Sequence, residues 1–322
     1  MPRSSLVAVF FACLPLWALS EPEPADARVD AADPKAFHDI RSAVAAAPLK
    51  KDGRKRWVIE VGPGSYAERV RIPREAGPIL LRGAGSERTK VVLERNANDL
   101  DAAGRPVGTS ESWVFRVDAD AFEAQDLSVE NASRKVGQAV ALRVDGDRVV
   151  FRRCVLLGRQ DTLLVSRGRH FFDRCAIAGT VDFIFGPATA FFERCDIRVL
   201  GKGYVAAPST PPEQPYGLVF ADCDVGMRAE PGAQTYLARP WREHGAALYL
   251  RCRLGACVRK EGWDNWRQPE REKTARFQEA ESTGPGGDVS ARVRWARPVL
   301  SVQAVTPAKV LGGADSWDPS AR

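Results

Sequence analysis

The sequence predicts an all-β solenoid, a parallel β-helix in which short strands are wound into stacked coils. Short runs rich in β-branched and aromatic residues recur between turn signals. Five cysteines also follow one another at intervals of 21, 20, 28 and 29 residues, each with an aromatic residue three positions before it. A strand-based repeat of roughly 20 to 30 residues is typical of a solenoid, because each coil buries its apolar edge against its neighbours. The five cysteines are Cys154, Cys175, Cys195, Cys223 and Cys252.

The aromatic and cysteine positions of this repeat are expected to form ladders inside the coils. A leucine-rich repeat is the first alternative, but the sequence lacks its Leu-x-x-Leu-x-Leu pattern. Neighbouring parallel strands seldom offer good disulfide geometry, so we expect small core side chains rather than disulfides or metal ligands. Cys252 and Cys257 are the pair at which an exception is most expected.

The chain begins with the pattern of a secretory signal peptide over residues 1–20. A short basic start precedes an apolar run from about residue 6 to residue 19, and the small residues Ala18 and Ser20 resemble a cleavage site. A lipoprotein anchor at Cys13 is the alternative. Since no later apolar run is long enough for a membrane span, the mature chain is expected to be secreted or extracytoplasmic, without membrane contact.

Residues 21–34 are rich in proline and acidic residues, which predicts a flexible linker. A single β-helix domain is expected to follow over residues 35–322. The tail from Ser301 resembles no coil and is expected to pack along the outside of that domain.

One helix is predicted near the start of the domain, within residues 33–48. Asp33 is the expected N-cap, Pro34 suits the first turn, and apolar residues recur on one face. In a solenoid such a helix would cap the N-terminal end of the core.

Composition limits the class of protein without choosing a ligand. With 44% hydrophobic and 27% charged residues among 322, the chain is typical of a soluble globular protein with a sizeable core. The formal net charge of +6 is compatible with an acidic polymer, nucleic acid and polyanionic sugar alike, and equally with a solvated arginine-rich surface.

Two aspartates occupy the same position on neighbouring coils. Asp161 follows Cys154 by seven residues, and Asp182 follows Cys175 by seven. Because parallel strands lie about 4.8 Å apart, the two carboxylates are expected roughly 5 Å apart on one face. Two charges at that distance repel by about 3 kcal/mol at an effective dielectric of ~20, which keeps one carboxyl protonated near neutral pH. The pair would supply an acid beside a base or nucleophile; a polar ladder at the strand ends and a retaining glycosidase are the alternatives.

Two glutamines lie close to the same column. Gln160 directly precedes Asp161, and Gln138 lies 22 residues before Gln160, close to one coil earlier. Amide N–H groups stabilise the negative charge that develops on an oxygen in acyl transfer, whereas a glycosidase transition state develops positive charge on the sugar. The glutamines therefore favour an ester as the substrate.

Several motifs, taken in order, resemble those of the pectinesterase family, the pectin methylesterases among the carbohydrate esterases. The resemblance covers essentially the whole mature length, and the order of the motifs makes it specific although each alone is weak. The motifs are GSYAERVRIP at 64–73, QAVAL at 138–142, GRQDTL at 158–163, GTVDFIFG at 179–186, YLARPW at 236–241, GWDNW at 262–266, FQEAESTGPGG at 277–287 and RVRW at 292–295.

The resemblance implies a right-handed, pectin-lyase-like parallel β-helix and an enzyme that hydrolyses galacturonate methyl esters. Asp182 would be the nucleophile. Asp161 would protonate the departing methanol and then activate water for an anhydride intermediate. Gln138 and Gln160 would donate to the oxyanion, and Arg239 would hold Asp182 ionised and aimed.

For the substrate, the resemblance implies contacts from Thr109, Gln138, Arg239 and Trp241, with Trp241 as an apolar platform for a sugar ring. The implied partner is pectin, a methyl-esterified polygalacturonate, and not nucleic acid. No metal or organic cofactor is implied, and a monomer is expected.

Two positions depart from the family pattern. Arg159 stands where the family often has an aromatic residue, and Leu164 replaces a frequent tyrosine after the QDTL motif. Both changes would thin an aromatic cleft wall, and Arg159 could meet a free carboxylate of a partly de-esterified polymer. Trp263 and Trp266 are predicted either to line the cleft or to pack under the tail.

Three other functions stay open. An esterase or thioesterase of the same fold could act on a different ester. A non-catalytic polysaccharide-binding β-helix should lack at least one of the five implied catalytic residues, and all five are present. A glycoside hydrolase or lyase should carry the paired aspartates and histidine of β-helix polygalacturonases, which are not evident. The chain also has no Gly-x-Ser-x-Gly elbow, and its three histidines show no metal-ligand spacing.

Overall fold

The structure is a computed structural model that describes residues 23–49, 56–229, 231–297 and 303–321, and these are wound as a parallel β-helix. The predicted fold class is therefore confirmed. Two α-helices, α1 (Ile40–Ala45) and α2 (Pro307–Leu311), lie at the ends of the described chain. In chain order the strands are β1 (Ala27–Val29), β2 (Trp57–Val61), β3 (Gly64–Tyr66), β4 (Val70–Ile72), β5 (Ile79–Gly83), β6 (Thr89–Leu93), β7 (Phe115–Val117), β8 (Glu123–Gln125), β9 (Ser128–Asn131), β10 (Leu142–Val144), β11 (Val149–Arg152), β12 (Val155–Leu157), β13 (Leu163–Val165), β14 (Arg169–Asp173), β15 (Ala176–Gly186), β16 (Thr189–Glu193), β17 (Asp196–Pro208), β18 (Leu218–Ala221), β19 (Asp224–Met227), β20 (Thr235–Ala238), β21 (Ala246–Leu250), β22 (Arg253–Leu254) and β23 (Arg276–Ala280).

Successive coils add parallel strands to two sheets. One sheet has the order β1-β2-β5-β8-β11-β14-β16-β18-β21-β23. The other has the order β3-β6-β9-β12-β15-β13-β10-β7-β4, and β17, β19, β20 and β22 extend it. The long strand β15 turns a corner within this second sheet, because its start pairs with β12 and its end pairs with β13. The outer surface beside the ends of β15 and β17 carries the candidate site.

The aromatic ladder lies inside the coils, as the repeat predicts. Phe151, Phe172, Phe192, Phe220 and Tyr249 are fully buried. Successive ring centroids are 5.4, 4.8, 4.7 and 4.4 Å apart, with the rings stacked. Stacking of equivalent side chains buries the apolar edge of each coil, which explains why the aromatic recurs once per coil.

The cysteines form a second buried ladder. The Sγ of Cys175 lies 3.4 Å from the carbonyl oxygen of Phe151 on the preceding coil, and Cys252 repeats this contact with Phe220 at 3.5 Å. The exception considered for Cys252 and Cys257 is not found, because all six cysteines in the described part of the chain are free. Cys252 points into the core ladder, whereas Cys257 follows β22 in a turn.

Helix α1 begins later than predicted, and Asp33 is not its N-cap. The N-cap is Asp39, whose side chain accepts a hydrogen bond from Ser42 N at 2.8 Å. The buried carboxylate of Glu68 also accepts from Ile40 N at 2.8 Å. A residue on the next coil thus fixes where the helix starts, and the local sequence around Asp33 does not reveal it.

The predicted linker over residues 21–34 is wrong for residues 27–29. They form β1, in which Arg28 pairs with Glu60 and Val29 with Val61 on β2. A three-residue strand is too short to show an alternating pattern, and its pairing with β2 determines its structure. The predicted signal peptide at 1–20 and the alternative anchor at Cys13 lie outside the described residues.

The described part of the C-terminal tail lies on the outside of the first sheet. Val310 and Leu311 of α2 pack on Phe171 and Phe191, which point outward from β14 and β16. Arg169 on β14 donates to the carbonyl oxygen of Leu311 at 2.9 Å, fixing the end of the helix. Within the described ranges, the structure contains no helix of the length and apolarity needed to cross a bilayer.

Candidate active site

The two aspartates of the cysteine register lie on neighbouring coils of the second sheet, Asp161 just before β13 and Asp182 within β15. Leu163 pairs with Ile184, so Asp161 and Asp182 stand two residues before partners in register. The backbone N–H of Asp161 donates to Val181 O at 3.0 Å between the same two coils. Both aspartates have left-handed backbone conformations, with φ of 65° and 52°, and are 7% and 6% exposed. Left-handed non-glycine residues recur at other corners of the coils as well, for example at Arg153 and Arg174, so this conformation marks a turn of the coil and is not by itself evidence of a site.

A single cleft of about 530 Å³ contains every site residue that the sequence predicts. The seven are Thr109, Gln138, Gln160, Asp161, Asp182, Arg239 and Trp241. Leu164 and Trp266, which the sequence offered as cleft-wall candidates, also line the cleft. The other lining residues were not predicted and are Ser110, Ser166, Phe185, Pro187, Ala207 and Ser209.

Arg239 holds the carboxylate of Asp182 in a two-point ion pair. Its Nε donates to Oδ1 at 2.8 Å and its Nη2 to Oδ2 at 2.6 Å. The guanidinium lies between two aromatic rings, with its carbon 3.8 Å from the Tyr204 centroid and 3.7 Å from the Trp266 centroid. A planar guanidinium matched edge-on to a carboxylate favours the ionised form of that carboxylate.

The two carboxyl groups have different electrostatic surroundings. Burial and, less strongly, the charge of the neighbouring Asp182 raise the pKa of Asp161 to about 8, against the opposing charge of Arg239. Burial also raises the pKa of Asp182, but hydrogen bonds and charge from Arg239 oppose that shift directly. Asp161 therefore carries a proton at neutral pH, and Asp182 is the group that the arginine keeps as a carboxylate.

The two glutamines lie on adjacent coils beside the carboxyl pair. Ala139 N donates to Gln160 O at 3.1 Å, which brings Gln138 and Gln160 together at one edge of the cleft. Within the described ranges, neither side-chain amide makes a hydrogen bond to another protein group. Their N–H donors are thus open to a ligand in the cleft.

Apolar side chains form another part of the cleft wall. Trp241 packs edge-on against Phe185 with ring centroids 5.9 Å apart, and Leu164 belongs to the same cluster. Arg159 is exposed and stands outside the set of described residues that line the cleft. Of the two tryptophans left open by the sequence, Trp266 lines the cleft, whereas Trp263 is 1% exposed and packs in the core.

Thr109 lines the cleft from a short 3₁₀ turn, Thr109–Glu111. Ser112 Oγ donates to Thr109 O at 2.8 Å, and Arg143 Nη1 donates to Ser110 O at 2.8 Å. The first bond closes the turn, and the second fixes it to β10 of the second sheet.

Tyr204, which packs against Arg239 behind the cleft lining, is a further residue that the sequence did not reveal. It lies on β17 in register with Tyr236 on β20, and the two rings are stacked 5.5 Å apart. Two tyrosines one coil apart are a weak sequence signal. Nothing in the local sequence around Tyr204 links it to Arg239, which follows Tyr236 in the chain. Among the residues that the structure describes, no group of three or more His, Cys, Asp or Glu side chains is placed to hold a metal ion.

The fold and the cleft define a parallel β-helix protein with an aspartate-pair site suited to acyl transfer. The chain belongs to the pectinesterase family: it matches the family described as Pectinesterase over residues 26–310. The right-handed, pectin-lyase-like coil implied by the motifs is the fold of this family.

Curated relatives support the same assignment. The chain is 34% identical to Pectinesterase 31 of Arabidopsis thaliana over 274 residues, which is 83% of this chain and 86% of that protein. It is 35% identical to Pectinesterase/pectinesterase inhibitor 3 of the same plant, but spans 46% of that longer protein.

Solved structures of the family share the fold over nearly the whole chain. A pectin methylesterase from carrot superposes with a TM-score of 0.84 at 31% identity, covering 92% of this chain and 96% of that one. Pectin methylesterase PemA from Erwinia chrysanthemi gives 0.81 at 30% identity, with 93% and 99% covered. A pectin methylesterase in complex with a hexasaccharide gives 0.82 at 31% identity, with 94% and 100% covered.

Proposed function

We propose that the protein is a pectinesterase that hydrolyses the methyl esters of galacturonate in pectin, giving pectate and methanol. Membership of the family supports the reaction, and the hexasaccharide complex of a similar pectin methylesterase supports a sugar polymer as substrate. One observation carries the mechanism: a carboxyl group that keeps its proton stands beside a carboxylate held by an arginine, in one cleft.

Asp182 is the nucleophile of the first step. Its carboxylate oxygen attacks the ester carbonyl carbon, a C–O bond forms, and negative charge moves to the carbonyl oxygen. The amide N–H groups of Gln138 and Gln160 donate to that oxyanion. The bidentate pair with Arg239 fixes the direction of the attacking carboxylate before the substrate arrives.

Asp161 completes the step as the acid. As the oxyanion collapses, the bond to the methoxy group breaks and Asp161 gives its proton to the departing methanol. The Asp182 carboxylate has by then become a neutral anhydride, so the charge that opposed ionisation of Asp161 is gone. Asp161 can thus keep its proton before the step and be stable as a carboxylate after it.

Water then hydrolyses the anhydride with Asp161 as the base. Asp161 takes one proton from the water, the hydroxyl adds to the substrate acyl carbon, and the bond to Asp182 breaks. The product leaves as a galacturonate carboxylic acid that releases its proton to solvent, Asp182 regains its charge, and Asp161 has regained its proton. The reaction needs no metal or organic cofactor in this scheme.

The walls of the cleft supply the sugar contacts of this proposal. Trp241 offers an apolar platform for a pyranose ring, with Phe185 and Leu164 beside it. Thr109 contacts the substrate from its 3₁₀ turn. Export through the signal peptide at 1–20, a secreted or extracytoplasmic location and a monomeric state belong to the proposal on the sequence pattern alone.

The test incubates the protein with highly methylated pectin and measures methanol and viscosity together. Methanol release at constant viscosity is expected, whereas a glycoside hydrolase or lyase would lower viscosity without methanol. Asp182→Asn should abolish methanol release. Asp222→Asn is the matched control, because Asp222 is also left-handed, with φ of 55°, but stands on a solvent-exposed turn paired with Arg251. Methanol release that persists in Asp182→Asn would contradict the nucleophile.

A further inference from the structure

Arg239 is one member of a stack of aromatic rings and guanidinium groups. Its two faces contact Trp266 and Tyr204, at 3.7 and 3.8 Å from carbon to ring centroid. The rings of Tyr204 and Tyr236 are stacked with centroids 5.5 Å apart, and the guanidinium carbon of Arg259 lies 4.9 Å from the centroid of Tyr236. The stack runs from the half-exposed Arg259 to the catalytic cleft. Both faces of the guanidinium of Arg239 are therefore covered, and only its edge meets Asp182.

The Trp266 end of the stack is held by an unusual backbone. Trp266 and the next residue, Arg267, both have left-handed conformations, with φ of 59° and 58°. Trp266 N donates to Asp264 Oδ1 at 2.7 Å, and Arg267 N donates to Asn265 Oδ1 at 2.9 Å. Asn265 in turn donates to Glu272 Oε1 at 2.7 Å. Two consecutive non-glycine residues in this region cost free energy and persist where surrounding contacts impose them.

The Tyr204 end is held by the sheet. Tyr204 and Tyr236 are paired residues of β17 and β20, so their rings are stacked by the register of the coil. Of the described residues that line the cleft, Trp266 is one and Tyr204 is not. Tyr204 therefore does not line the cleft, and besides a charge interaction of its phenol with Asp182, its link to the site is the ring that covers Arg239.

We infer that Tyr204 and Trp266 are positioning residues that clamp the guanidinium of Arg239 in the plane of the Asp182 carboxylate. The inference rests on the proposed function, in which Asp182 is the nucleophile. Rings on both faces prevent the guanidinium from rotating out of the carboxylate plane and keep water off its faces. The two hydrogen bonds to Asp182 then stay short and directional in a buried site, and the carboxylate stays ionised and aimed.

Replacing one ring at a time tests the clamp. Tyr204→Leu and Trp266→Leu remove a ring, while Tyr204→Phe and Trp266→Phe retain one. Tyr216→Leu and Trp317→Leu are matched controls on the outer face of the coil, where Trp317 also lies against an arginine, Arg169. Trp266 is half-exposed, so its replacement leaves the core intact if Tyr204→Leu fails to fold.

The readout is methanol release as a function of pH, with kcat and KM separated. Tyr204→Leu should lower kcat about tenfold with KM within about twofold, since a desolvated ring–guanidinium contact is lost but no cleft contact is. The acid limb of the pH profile should move up by roughly half to one pH unit, because a loosened Arg239 stabilises ionised Asp182 less. Asp161, Asp264 and the Tyr204 phenol also act on Asp182. Tyr204→Phe keeps a ring on the guanidinium and removes only the hydroxyl, so it should retain most of the kcat that Tyr204→Leu loses and shift the acid limb less.

The possible outcomes distinguish failure of this inference from failure of the proposed function. A wild-type protein that releases no methanol would overturn both. An active wild type with Tyr204→Leu and Trp266→Leu unchanged in kcat would overturn the clamp alone. A raised KM with an unmoved acid limb in Tyr204→Leu would also overturn it, because Tyr204 would then be a substrate contact.

Discussion

Replacing Asp161 by asparagine should stabilise the fold, by an amount that grows with pH. Burial and the charge of Asp182 raise the pKa of Asp161 from 3.8 to about 8. Between these values the unfolded chain has released a proton that the folded chain keeps, so each rise in pH favours unfolding. Stability linked to Asp161 is fully present below pH 3.8 and is lost as pH rises through about 8. Asparagine removes this dependence and keeps the shape of the side chain.

The magnitude follows from the width of that window. A difference of about 4 pKa units at ~1.4 kcal/mol per unit corresponds to about 6 kcal/mol above pH 8, and to about 3 kcal/mol near pH 6. Asparagine also tolerates the left-handed backbone of residue 161, where φ is 65°, better than most residues. The gain in free energy of unfolding over the wild type should thus be near zero at pH 4 and largest above pH 8.

Urea unfolding followed by circular dichroism, at several pH values from 4 to 8.5, measures this gain. Asp222→Asn places an amide in another left-handed position and removes only a surface ion pair, so its effect should stay within about 1 kcal/mol at every pH. A constant difference between Asp161→Asn and the wild type across this range would refute the reasoning. It would mean that Asp161 is ionised in the folded protein at neutral pH.

Three further predictions concern pH and packing. The rate constant kcat/KM for methanol release should fall above about pH 8, where Asp161 loses the proton it donates; a flat profile to pH 10 would contradict that role. Burial lowers the pKa of His170 from 6.5 to about 4. The free energy of unfolding should therefore fall by about 3 kcal/mol as pH drops through this window. His170→Gln should flatten this part of the plot of unfolding free energy against pH. Phe192→Ala should lower the free energy of unfolding by about 3 to 5 kcal/mol, because Phe192 is fully buried between two stacked rings. Val136→Ala, at a position that is 93% exposed, should leave the free energy of unfolding nearly unchanged.

The sequence predicts the coils and the aspartate column for one physical reason. A parallel β-helix stacks equivalent positions, so an interval between core cysteines is also the interval between site residues on the same coils. Cys154 and Cys175 are 21 residues apart, as are Asp161 and Asp182, and Leu163 pairs with Ile184 at that same offset. Periodicity alone thus places two side chains in one cleft.

Features that depend on contacts between distant segments escape this logic. The start of α1 is determined by Glu68 from the following coil, and β1 exists because β2 pairs with it. The clamp on Arg239 joins Tyr204 from one coil to Trp266 from a later segment with two left-handed residues. No local sequence pattern encodes these contacts between distant segments. Assigning a role to an individual site residue likewise requires the structure and activity measurements.

An ester with a good leaving group separates the two carboxyl groups most directly. An aryl ester of galacturonate releases its phenolate without needing a proton, so Asp161→Asn should still acylate Asp182 and then stall, because the base for anhydride hydrolysis is missing. Rapid-quench measurement should show a phenolate burst equal to the enzyme concentration from Asp161→Asn and none from Asp182→Asn, with steady turnover by the wild type. A burst from Asp182→Asn, or none from Asp161→Asn while the wild type turns over, would contradict the account.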